Sequence, residues 1–110
     1  MAKAKLPKEI HLSYFKIEVK YLNTLIAQEI GEQQGSFHAR DLVIYVDEEI
    51  IELGGNRAVS LVIHELFHAI YYDKSLTGAE EERTVNSFAN GTVELLTRNP
   101  QLSKWINENI

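Results

Sequence analysis

Cysteine is absent from this chain. That excludes disulfides, thiolate zinc sites and cysteine nucleophiles, so any metal must be held by nitrogen and oxygen donors. Basic runs are missing as well: the formal net charge is −5 and the lysines of the N-terminus are scattered, so a nucleic-acid backbone is not an expected partner. No apolar run is long enough to cross a bilayer. The most apolar window, Ala58 to Tyr72, carries two His and a Glu and falls short of the roughly 20 residues that a span needs. The basic start, Met1-Ala2-Lys3-Ala4-Lys5-Leu6-Pro7-Lys8, is not followed by an apolar stretch of signal-peptide length, so a cytoplasmic protein without a membrane partner is expected. Repeats, low-complexity tracts and linkers are also lacking. With 110 residues at 45% hydrophobic, one domain over 1–110 is the expectation.

Histidine is scarce too, with four in the chain, yet two of them stand in the run His64-Glu65-Leu66-Phe67-His68. On a helix, residues four apart lie one above the other, so both imidazoles point to one side and can share a metal ion. Glu65 is offset from that line. The offset suits a carboxylate that reaches a water at the metal without replacing it, as a general base must. The surrounding segment, Ala58 to Tyr72, reads as a single helix, apolar almost all round and therefore buried. Asn56 before it is a plausible N-cap.

Around this helix the chain offers a sheet and two more helices. Phe15, Ile17, Val19 and Tyr21 alternate with Lys16, Glu18 and Lys20, the pattern of a strand with one face in water. Leu22, Leu25, Ile26 and Ile30 fall at helical spacing up to Gly31, and Gly31–Gly35 reads as a turn. Leu42–Val46, rich in β-branched residues, predicts a second strand buried on both faces. Thr77-Gly78-Ala79-Glu80 has the form of a capping box, which starts a helix at Gly78 with Val85, Phe88, Ala89, Thr92 and Leu96 as its inward stripe. Asn99-Pro100 ends that helix and opens a last one, packed through Leu102, Trp105 and Ile106. Trp105 and the Tyr14-Phe15 and Leu95-Leu96 pairs are expected in the core. The fold class is α+β: a small antiparallel sheet packed on a central zinc-binding helix, followed by two helices.

A catalytic zinc takes three protein ligands and keeps a fourth position for water. His64 and His68 supply two. Asp73 lies too close along the helix, and Glu80 is engaged by the capping box, which leaves Glu81 and Glu82 on the following helix as alternatives that spacing does not separate. Tyr71 and Tyr72, three and four residues after His68, are candidates for stabilising an oxyanion or for supporting the ligands. Gly35, Ser36 and Phe37 form a candidate edge strand for an extended peptide. His38 beside the turn and His11 are weaker candidates and read as surface residues.

From His64 onward the chain resembles the small phage- and mobile-element-associated metallopeptidases of the ImmA/IrrE type, gluzincin-like zincins. The resemblance rests on His64-Glu65-Leu66-Phe67-His68-Ala69-Ile70 and on Glu82-Arg83-Thr84-Val85-Asn86-Ser87-Phe88-Ala89. The second run is similar to that family's Glu-x-x-Ala-Asn-x-Phe-Ala pattern, whose leading glutamate is the third zinc ligand, so the resemblance selects Glu82. Val85 departs from the pattern's first alanine, with a larger residue expected to face the motif helix. The resemblance implies a zinc cofactor, a small sheet on the zinc-bearing helix, and hydrolysis of peptide bonds in a protein or peptide substrate. Family members of known role cut repressors of mobile elements or stress regulons. The alternative of a different class is a zincin-like binding module with a structural metal and no proteolytic activity.

Overall fold

Alternation at Phe15–Leu22 builds an interior strand of the sheet. In the computed structural model, which describes residues 4–23, 25 and 35–110, this segment is β2 (Phe15–Leu22), with Ile17 and Val19 buried and Lys16, Glu18 and Lys20 in water. Glu9–Leu12 repeats the same period on a smaller scale and forms β1, burying Ile10 and Leu12. The two strands pair antiparallel with Ile10 opposite Ile17. Ser13 turns the chain between them at a φ of 56°. Tyr14, at the tip beyond the last paired residues, is fully exposed at 101%; it is not the core residue expected.

β3 (Gly35–His38) and β4 (Val43–Asp47) complete a four-stranded sheet in the order β1-β2-β4-β3. β3 and β4 are antiparallel, but β2 and β4 run parallel, with Val19 beside Ile44. The sheet is therefore mixed and not the antiparallel one expected. Its order explains why: β4 returns from the edge strand β3 into the gap beside β2, and that hairpin sets its direction, so a crossover replaces a second hairpin. The short helix expected through Ile26 and Ile30 to Gly31, and the turn over Gly31–Gln34, lie outside the described residues.

Asp47 ends β4 and caps the next element, accepting from the backbone N–H groups of Glu49 and Ile50. The result is α1 (Glu48–Leu53). Gly54 and Gly55 both take positive φ, 68° and 80°, conformations that suit glycine, and lead directly into α2 (Gly55–Asp73). Asn56 is thus already inside the helix and does not cap it. Asn109 Oδ1 instead accepts from the Gly55 N–H at 3.2 Å.

α2 buries Ala58, Leu61, Val62, Leu66, Ala69 and Ile70, and packs against β3 and β4. Its other side, through Arg57, Ser60, His64, Phe67, His68 and Tyr71, is exposed. The expected helix buried all round is therefore two-sided. The large apolar residues Phe67 and Tyr71 share the outer stripe with both histidines.

α3 (Glu81–Arg98) and α4 (Pro100–Asn109) follow, and α3 packs on β1 and α2. The capping box does not form. Gly78 bends the chain at a φ of 74°, the helix begins at Glu81, and its N-cap Glu80 makes no side-chain cap bond. The inward line of α3 is also rotated from the expected one: Gly91 and Leu95 are buried and Phe88 is half-buried, while Val85, Ala89, Val93 and Leu96 face out. Glycine sets that rotation, because a Cβ at position 91 would stand 2.9 Å from Ile70 Cδ1 and Cγ1, so α3 lies on α2 at its smallest residue. In α4, Leu102 and Trp105 are buried and Ile106 packs beside them. Among the described residues, no helix is long and apolar enough to cross a membrane.

Candidate metal centre and its cleft

His64 and His68 occupy successive turns of the exposed stripe of α2, and their Nε2 atoms converge to 3.3 Å with ring centroids 4.9 Å apart. Two nitrogens that share one tetrahedral zinc at its usual bond length lie roughly 3.3–3.4 Å apart. The spacing and the donor type, two imidazoles without thiolate, both suit that ion. An Nε2–H···Nε2 hydrogen bond between the rings gives the same separation.

Glu65 sits one residue round the helix and is buried, at 4% exposure, where His64 and His68 are open. Burial raises its carboxyl above the ordinary glutamate value, while the two imidazoles beside it pull in the opposite direction. What covers it is the edge strand. A Cβ placed on Gly35 would stand 3.0 Å from Glu65 Oε2 and 2.9 Å from both Leu61 Cδ1 and Tyr45 O, so glycine is what lets β3 lie directly on the carboxylate.

A cleft of about 520 Å³ opens over these groups, lined by Gly35, Ser36, Phe37, Ala39, His64, Glu65, His68, Tyr71 and Tyr72. The motif and the candidate edge strand, separated in sequence, are thus brought together. Tyr72 holds the far end by packing its ring 6.0 Å from those of both Phe15 and Phe37. Tyr71 lines the cleft beside the imidazoles, with its hydroxyl 3.5 Å from Thr77 Oγ1. His38 turns from the cleft, its Nε2 3.1 Å from Ser36 Oγ and its ring against Tyr45. His11 is exposed on β1.

The acidic candidates are not brought to the pair. Glu81 and Glu82 are exposed in the first turn of α3, and no group of three His, Cys, Asp or Glu able to hold a metal ion is assembled among the described residues. Val85, expected to press on α2, is 55% exposed, so its bulk does not disturb the helix contact. Asp73 closes α2 with its carboxylate 3.7 Å from Lys74 Nζ.

Phe67 and Phe88 belong to the site although ligand spacing does not single them out. Their rings stack at 4.8 Å and line a second hollow with His64, His68 and Tyr71. The signal for it was an aromatic residue inside the motif itself, directly before the second histidine. The chain matches no family model, no curated protein and no solved structure.

Proposed function

We propose that this chain is a zinc-dependent metallopeptidase that hydrolyses peptide bonds in a protein partner. One observation carries the reading: a converging imidazole pair, a buried glutamate beside it and the edge strand β3 share one cleft. Likeness to the ImmA/IrrE-type peptidases supports it and points to a repressor or regulator of a mobile element as the substrate.

In this reading His64 and His68 hold the ion, with Glu82, or Glu81 as the alternative, as third ligand from the first turn of α3. When bound, the ion supplies a Lewis acid that acidifies water and polarises a carbonyl. An extended substrate pairs its backbone with β3 along Gly35–Phe37. Glu65 takes a proton from the attacking water at its carboxylate, aided by the raised affinity for protons that burial gives it. A C–O bond forms at the carbonyl carbon, the C–N bond breaks, and the proton passes from Glu65 to the leaving amine. Tyr71 is the better placed of the two tyrosines to donate to the oxyanion, because Tyr72 packs between Phe15 and Phe37.

A second reading is a zincin-like binding module without proteolysis; it is favoured by the exposure of Glu81 and Glu82 and by the lack, among the described residues, of a third acidic group assembled with the pair. Metal analysis and cleavage of a mixed-sequence peptide library separate the two. The peptidase reading expects about one zinc per chain, lost in His64→Ala and weakened in Glu82→Ala. It also expects Glu65→Gln to keep the zinc while slowing cleavage by about 10²–10⁴-fold. Zinc bound without cleavage, unchanged by Glu65→Gln, would establish the binding module. A protein indifferent to chelator and to His64→Ala would sink both.

A further inference from the structure

Residues 4–8 pack on α4 as a strap that is tied down along its length. Gln101 Nε2 donates to Lys5 O at 3.0 Å, the Ala4 N–H donates to Glu108, Leu6 is buried, and Lys8 O accepts from the Val19 N–H at 2.8 Å just before β1. Between this strap, α1 and the end of β2 lies a hollow of about 430 Å³, within the usual size range of small-molecule sites. It shares no residue with the cleft at the imidazoles.

The inner wall is apolar and holds one spare donor. Trp105 is only 3% exposed, and a buried indole ordinarily gives its N–H to an acceptor. Here the indole N–H donates to no described residue, and its nitrogen is not sealed from the surface. Asn109 beside it is already engaged, with Nδ2 donating to Trp105 O at 2.8 Å and Oδ1 accepting from the Gly55 N–H. Ile51 and Leu53 carry the apolar wall outward, and Leu53 is left 77% exposed.

In a chain of net charge −5, this lining is basic. Lys5 and Lys8 both belong to it, against the single acidic residue Glu52. Neither lysine forms an ion pair with a described residue. Long lysine stems lie along apolar surface while the ammonium groups stay at the mouth. Tyr21 adds a hydroxyl, which burial, and after it the charge of Glu48, holds above its ordinary pKa, so it is a donor at neutral pH. An anion that enters meets ammonium groups and hydrogen-bond donors; a cation meets two lysines for one glutamate.

We propose that this hollow binds a small free carboxylic acid, with its aliphatic or aromatic body on Trp105, Ile51 and Leu53 and its carboxylate at Lys5 and Lys8. The proposal is independent of the peptidase reading, since none of these residues touches the motif's cleft.

Trp105 is the only tryptophan of the chain, so its emission reports on the hollow directly. The full chain, kept in chelator so that no carboxylate is drawn to a metal, is titrated with octanoate, 1-octanol and octylamine, and the stoichiometry is read by calorimetry. Octanoate should shift the emission saturably at about one per chain and bind about tenfold tighter than octanol, with octylamine no better than octanol. Lys5→Gln combined with Lys8→Gln should remove that tenfold preference, and Leu53→Asp should weaken octanoate by a similar factor. These side chains are exposed, so the variants should unfold at the same denaturant concentration as the parent. His64→Ala should bind octanoate unchanged. Lack of a saturable shift, equal binding of octanoate and octanol, or tightest binding of octylamine overturns the proposal. So does octanoate binding that survives the lysine and Leu53 variants, or that is lost in His64→Ala.

Discussion

At its C-terminal end α3 is tied to the β1–β2 hairpin; at its N-terminal end it is nearly free. Leu95 is buried there, Glu94 accepts from the Ser13 N–H, and Arg98 donates to Ser13 O at 2.8 Å and to Glu94 at 2.7 Å. Asn99 adds a backbone clamp, accepting from the His11 N–H and donating to His11 O and Leu95 O, all at 2.8 Å. The first turns rest on Arg83, which reaches Lys74 O and Ser75 O, and on the Phe88 stack. Glu81, Glu82 and Val85 face water. Contacts that hold the fold are thus gathered at one end, and the glutamates proposed for the metal stand at the other, where local opening costs least.

Breaking the anchored end should produce the largest effect. Leu95→Ala leaves a cavity under the helix and should cost about 2–5 kcal/mol in denaturant unfolding; a loss no greater than that of a surface substitution would remove the contrast between the ends. Asn99→Ala orphans both backbone groups of His11 and should cost about 1–3 kcal/mol by the same measurement.

Glu94→Gln sharpens the comparison through pH. The Ser13 N–H holds the Glu94 carboxyl below the ordinary range; burial opposes this, and Arg98 reinforces it. A carboxyl depressed in the folded state contributes its stability in full above the ordinary glutamate value of about 4.3, and loses it as pH falls through the folded value. Thermal unfolding should therefore show the variant less stable by about 1 kcal/mol at neutral pH, with the gap narrowing on acidification below that range. A gap that widens in acid would mean that Glu94 is not held as charged.

The smallest effect belongs to the free end. Val85→Ala should change stability by no more than about 0.5 kcal/mol, although the apolar stripe in the sequence places Val85 inward. A cost comparable to Leu95→Ala would restore the sequence-based stripe.

That stripe shows where reading the chain alone stops. β2, β4, the span of α2 and the start of α4 at Pro100 were legible, because each is written in local period, β-branching or backbone chemistry. β1 is too short for its alternation to stand out, and α1 hides behind an acidic run whose Asp47 turns out to be a cap. Pairing β2 with β4 in parallel is a nonlocal choice that no single segment records. The face of α3 was misread because hydrophobic patterning weights large side chains, whereas the contact point is Gly91. In the site, the imidazole spacing and the inward Glu65 follow from helix geometry. The neighbourhood of β3 does not, since it depends on Gly35 lying against a carboxylate thirty positions away in the chain. Which of Glu81 and Glu82 serves the pair was open from spacing, and both remain exposed.

The tight seat of Gly91 on Ile70 gives α3 the mechanics of a lever. Glu82 stands about 13–14 Å along the helix from that fulcrum at the usual rise per residue. A tilt of about 10° there would carry the glutamate's backbone by about 2 Å. The volume at position 91 therefore sets where the far arm can reach, and a single added methyl group, by lifting α3 from α2, would shift the arc along which either acidic residue travels.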